Sequence, residues 1–206
     1  MKTVVVICVV ALILLVINIP RILRNKQYQI DLGLSFHHTI TKYHQMLQFT
    51  ELVLGGQLDL SVVSNMEQNG DVDRICMDIL NRQSDGLELF SEKFSSLIKS
   101  TARSLMAFGD AVYRGEKEKM EQSRAELERS CKIGKNVVAF LSGNSVIFQE
   151  RCPATLEGAR FYGANVEKMS RNRRWGKPLD RGVDPHFIGL QRSVNELISD
   201  AMEGTK

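Results

Sequence analysis

Residues 87–112 read LELFSEKFSSLIKSTARSLMAFGDAV, and their apolar members decide the fold class. Leu87, Phe90, Phe94, Leu97, Thr101, Leu105, Phe108 and Val112 follow one another at steps of 3, 4, 3, 4, 4, 3 and 4. That spacing keeps one face of an α-helix apolar and leaves the other to water. A half-buried strand would alternate instead. Asp85 followed by Glu88 resembles a capping box for the start of this helix. Gly115 predicts its stop, because glycine takes the left-handed conformation at a helix end.

The same period recurs on both sides. Phe36, Ile40, Tyr43, Leu47 and Leu54 predict a helix from about Gln27 to Gln68, weakened at Gly55-Gly56 and stopped by Asn69-Gly70. Asp71 predicts the N-cap of a second helix with Val72, Ile75, Ile79 and Leu80 inward. Glu116–Leu141 carries Met120, Arg124, Leu127, Cys131, Gly134, Val138 and Leu141 on one seam, which Arg124 and Gly134 weaken. Its first half mixes both signs of charge, as a solvated face with pairs such as Glu128–Lys132 would.

Ser142–Ser145 predicts a turn, and residues 145–149 are too short to assign. Pro153 then opens a helix reaching about Arg174, with Leu156, Ala159, Gly163, Val166 and Met169 inward. The small Ala159 and Gly163 would let a neighbouring helix approach closely. A loop over Gly176–Val183 leads to Asp184-Pro185, an N-cap followed by proline, and a closing helix with Phe187, Leu190, Val194, Leu197 and Ile198. Amphipathic helices bury their stripes only against one another. Residues 27–206 therefore predict an all-α, antiparallel bundle of four to five helices.

Thr3–Ile19 has no charged residue, and Asn18 is its only strongly polar member. As a helix these residues would span ~25 Å, slightly short of a ~30 Å hydrocarbon core. Ile22 and Leu23 extend the apolar length if the neighbouring arginines snorkel. The small residues that a cleaved signal peptide needs before its cut are missing around Val16–Pro20. Residues 1–26 thus read as a single transmembrane anchor with a basic flank of Arg21, Arg24 and Lys26, touching the membrane through residues 3–19. More positive charge follows the run than precedes it, which favours a cytoplasmic body over an external one. The odd number of body thiols, Cys76, Cys131 and Cys152, agrees with a reducing compartment. The expectation is a single-pass membrane protein.

The chain has 206 residues, 43% hydrophobic and 25% charged, with four Cys, 15 Gly and four Pro. This excludes a disordered chain, a disulfide scaffold and a collagenous one. Net charge is +3, but Lys2, Arg21, Arg24 and Lys26 supply four positive charges to a segment without acid. The remaining 23 basic and 24 acidic residues give −1, which argues against nucleic acid as a partner. No phosphate-loop, dinucleotide, zinc-protease or nucleophile-elbow motif occurs, and no cofactor is implied.

Two groups of residues stand out. His37, Thr41, His44, Gln48 and Glu51 form a polar line beside an apolar stripe, a candidate ligand or pH-sensing line. No His, Asp, Glu or Cys stands three or four residues from His37, His38 or His44, so one helix cannot supply two metal ligands. Arg171, Arg173, Arg174 and Lys177 surround Trp175, the single tryptophan, and form a candidate contact for an anionic partner or lipid headgroups. The plainer reading of both is a solvated helix flank and a solvated helix end. The function expected from these features is a membrane-anchored, non-enzymatic interaction module whose bundle meets protein partners or a second copy. The alternative is a sensor-type bundle that binds a small ligand between helices.

Overall fold

A computed structural model of the chain describes residues 2–57, 76, 77, 80, 85–143 and 156–203, apart from the side chains of 2–17, 19–21, 85, 142 and 143. Among the described residues the fold is all-α, with six helices and no strand. They are α1 (Lys2–Leu54), α2 (Asp85–Phe90), α3 (Glu92–Arg114), α4 (Lys117–Gly143), α5 (Leu156–Arg174) and α6 (Pro185–Glu203). α1 lies antiparallel to α5 and α4, α3 packs on α4, and α6 closes the bundle against both.

Two short-range contacts set the helix spacing. A Cβ added at Gly163 would stand 1.8 Å from the Gln29 carbonyl oxygen, and one at Gly33 would stand 2.2 Å from that of Ala159. α1 and α5 therefore touch backbone to backbone, and the expected close approach at Ala159 and Gly163 is present. Gly134 has a different task from the one its place on the seam suggests. A Cβ there would stand 2.1 Å from the Tyr43 hydroxyl, so the glycine makes room for a buried tyrosine. That hydroxyl shares a 3.2 Å hydrogen bond with Thr101 Oγ1, so burying it leaves no orphaned polar group.

Aromatic rings join four helices. Phe36 of α1 stacks on Tyr162 of α5 at 4.0 Å between centroids. Phe90 of α2 meets Phe36 edge-on at 5.4 Å, and Phe187 of α6 meets Tyr162 at 5.4 Å. Such pairs add ~0.5–1.5 kcal/mol each beyond their buried area. Leu105, Leu127, Val137 and Leu141 belong to the same core.

The apolar stripe of 87–112 spans two helices, α2 and α3. Ser91 separates them: it takes an extended backbone, its hydroxyl accepts from Phe94 N at 3.0 Å, and it donates to Asn195 Oδ1 at 2.6 Å. A serine N-cap competes successfully with helix continuation at this position. Gly115 ends α3 in the left-handed conformation, as expected. Gly55-Gly56 terminates α1, with Gly56 at φ 68 and Gln57 N bonded to Leu52 O. The expected stop at Asn69-Gly70, the Asp71 cap, Ser145–Gln149, Cys152 and Pro153 lie outside the described residues. Glu128 pairs with Arg124 rather than Lys132, and Arg124 also donates to Leu54 O, so it caps α1 instead of interrupting a seam. Asp184 caps α6 through His186 N at 2.9 Å.

The expected single-pass membrane localisation is corrected here: among the described residues, no helix is long and apolar enough to cross a membrane. The reason lies in the described length of α1. It carries Arg24, Lys26, Asp31, Lys42 and Glu51, and it turns Phe36, Ile40, Tyr43 and Leu47 into the core. α1 runs unbroken past Pro20 and through the boundary expected at residues 26 and 27. The side chains of residues 3–17 and 19 lie outside the described residues.

The backbone contact predicts a sharp contrast between two glycines. Gly163→Ala is expected to cost ~3 kcal/mol through overpacking. For a chain of this size that lowers the melting temperature by ~6–12 °C. Gly189, exposed on the outer side of α6, has nothing within 4 Å of an added Cβ. Gly189→Ala should leave melting unchanged or raise it slightly. Equal melting of the two variants would show that α1 and α5 are further apart than described.

Candidate functional site

The two sequence-predicted groups fare differently. Arg171, Arg173, Arg174, Trp175 and Lys177 come together at the end of α5, and all are exposed. Arg171 has a structural task. It pairs with Glu167, which is only 8% exposed and also accepts from Gln29 Nε2 of α1 at 2.7 Å. Arg171 reaches Asn25 Oδ1 of α1 at 3.5 Å as well. A carboxylate this buried needs such partners, and α1 supplies one of them.

Beyond Arg174 the chain turns sharply. Gly176 takes φ 60, and Lys177 N returns to Asn172 O at 2.9 Å. Asn172 Nδ2 donates to Leu179 O at 3.0 Å and to Arg181 O at 2.9 Å. Lys168 Nζ donates to Gly182 O at 2.8 Å, and Asn165 Oδ1 accepts from Asp184 N at 2.9 Å. Three residues of α5, Asn165, Lys168 and Asn172, thus hold the loop by its own backbone. Trp175, 73% exposed, stands out from this pinned turn. The sequence reading does not single out Lys168, Asn172 or Glu167. The available signal is an asparagine one turn before a Gly-containing loop, a usual bracing position.

His37, Thr41, His44, Gln48 and Glu51 spread along the flank of α1 without converging. Thr41 Oγ1 donates to His37 O, and Glu51 pairs with Lys135 of α4. His44 and Gln48 are exposed. His37 is half-buried, and its Nδ1 is buried with no hydrogen-bond partner. Burial first, and then the neighbouring His38, hold its pKa below the usual value of 6.5. Among the described residues no group of three His, Cys, Asp or Glu could hold a metal ion.

Cys76 and Cys131 are both buried. Burial pushes the Cys131 thiol up to about 11, so it stays protonated at neutral pH. A groove of about 760 Å³ lies between α3, α4 and α6, with Leu97, Ile133 and Met202 alongside Glu126 and Arg129. No protein-family model, curated protein or solved structure matches the chain.

His37 generates a pH prediction. Its folded pKa is lowered, so the folded state binds fewer protons than the unfolded one below pH 6.5. The stability it contributes is present above that value and is lost as pH falls toward the folded pKa. Urea unfolding should show a larger loss between pH 7.5 and 5 for the native chain than for His37→Gln. An identical pH dependence would mean that the buried Nδ1 accommodates its proton without cost.

Proposed function

We propose that the chain is a non-enzymatic helical interaction module that presents its bundle surface to a protein partner. One observation carries this reading: the single tryptophan is 73% exposed, on a turn whose backbone is fixed by Asn172 and Lys168. Tryptophan and arginine dominate the residues that anchor protein interfaces. A turn already held in place loses little conformational freedom on binding, so contact area there converts efficiently into affinity. The second reading, a sensor taking a small ligand between helices, draws on the groove between α3, α4 and α6.

The two readings separate in one pair of measurements. A photo-crosslinking amino acid at position 175 of the full chain should give a discrete protein adduct in cells, and the same group at exposed Lys117 should give none. Absence of an adduct at 175 counts against the interaction module. A small metabolite that raises the melting temperature by about 5 °C or more would favour the sensor.

A further inference from the structure

We infer that the exposed turn at the end of α5 is a docking site for an acidic peptide segment of the partner, with Trp175 as its apolar anchor and Arg173, Arg174 and Lys177 as its carboxylate receptors. The inference rests on the interaction-module reading and names the partner's chemistry.

Several cations elsewhere on the surface are matched by acids. Arg114, Lys119, Arg124 and Lys135 each face a carboxylate, respectively Asp110, Glu116, Glu128 and Glu51. Arg173, Arg174 and Lys177 form no ion pair among the described residues. The nearby buried carboxylate, Glu167, is already held by Arg171 and Gln29. The contact between Arg171 and Asn25 brings α1 to the same end, and Arg24 and Lys26 flank Asn25. α1 has no acidic residue before Asp31, and the loop contributes only Asp180 ahead of the α6 cap. Glu88 and Glu92 line a pocket with Arg173 and Leu179 but form no ion pair with Arg173 among the described residues. The excess of cations over acids at this end raises a local positive potential that attracts an anionic partner.

The same features choose among occupants. A second copy docking face to face would set these cations against one another, which costs affinity. A free anion would have no use for an indole standing out of the surface. The exposed apolar groups here, Trp175 at 73% and Leu179 at 41%, need a partner with apolar side chains among its acids. The arginine fork matches a planar carboxylate with two parallel hydrogen bonds. A bilayer surface attracts lysine and arginine alike and makes no such distinction.

Trp175 is the single tryptophan, so its emission reports this site directly. The full chain is titrated with a synthetic Glu- and Asp-rich peptide carrying leucines, with its Gln and Asn counterpart, and with vesicles of equal parts phosphatidylcholine and phosphatidylserine. The acidic peptide should produce a saturable change in emission that the neutral one does not. Its affinity should fall about tenfold or more from low to physiological salt, as screening of exposed charges requires. The variant Arg173→Gln/Arg174→Gln/Lys177→Gln should lose at least tenfold in affinity with unchanged melting. No response at low salt, or an equal response from the triple variant, overturns the inference. A response to vesicles but not to the acidic peptide also overturns it and assigns the turn to lipid headgroups. If the peptide fails while the crosslinker at 175 still captures a protein, the interaction module stands and only its acidic chemistry falls.

Discussion

The backbone contact between α1 and α5 is the constraint on which the rest depends. With no Cβ at Gly33 or Gly163, the two helices approach until carbonyls of one lie where side chains of the other would be. That closeness places Gln29 within reach of Glu167 and Asn25 within reach of Arg171. It also sets Phe36 flat against Tyr162, around which Phe90 and Phe187 gather. A larger residue at either glycine would separate the helices and loosen the buried carboxylate and the ring cluster together. The position of the Trp175 turn relative to α1 follows from the same contact, because α5 ends one residue before it.

Much of the fold is legible in the sequence because burial leaves a periodic trace. The stripes of α1, α3 and α6 contain the residues that become core, and Asp184-Pro185 and Gly115 mark helix boundaries at their observed places. The interruptions are harder to read. Ser91 lies inside an unbroken apolar pattern, and only its bonds to Phe94 N and Asn195 reveal it as a cap. Gly55-Gly56 looks like a tolerable weakness in a long helix and is its end. Gly134 looks like a flaw because spacing reports which face a residue occupies, not what the neighbouring helix brings to it. Here that is the Tyr43 hydroxyl.

The candidate site shows the same division. Local composition is enough to single out Arg171, Arg173, Arg174, Trp175 and Lys177. It cannot separate Arg171 from the others, since its partner Glu167 is one helical turn away and becomes decisive only when Gln29 buries it. The histidine line is legible as a line, and its residues stay spread along one flank of α1. His37 is half-buried while His44 and Gln48 are exposed, and α4 meets the line at Glu51 through Lys135. The apolar character of residues 3–19 is plain in the sequence, yet the helix it enters is, from Arg24 on, a bundle helix with charges on its outer face.

Charge placement carries the last step. A surface arranged only for stability tends to interleave its signs, as Glu116–Lys119 at the start of α4 and Arg124–Glu128 within it do. Each exposed pair contributes little alone, commonly under ~1 kcal/mol, but the arrangement also avoids self-repulsion. At the end of α5, Arg173, Arg174 and Lys177 form no ion pair among the described residues and accompany the exposed indole. Neither feature helps the fold. The indole would stabilise more if buried, and the cations would repel less if interleaved with acids. Asn172, Lys168 and Gly176 nevertheless hold this turn in one conformation. At this turn local rules of stability are broken while the supporting bonds are complete, and such a combination is the expected signature of a surface shaped by binding.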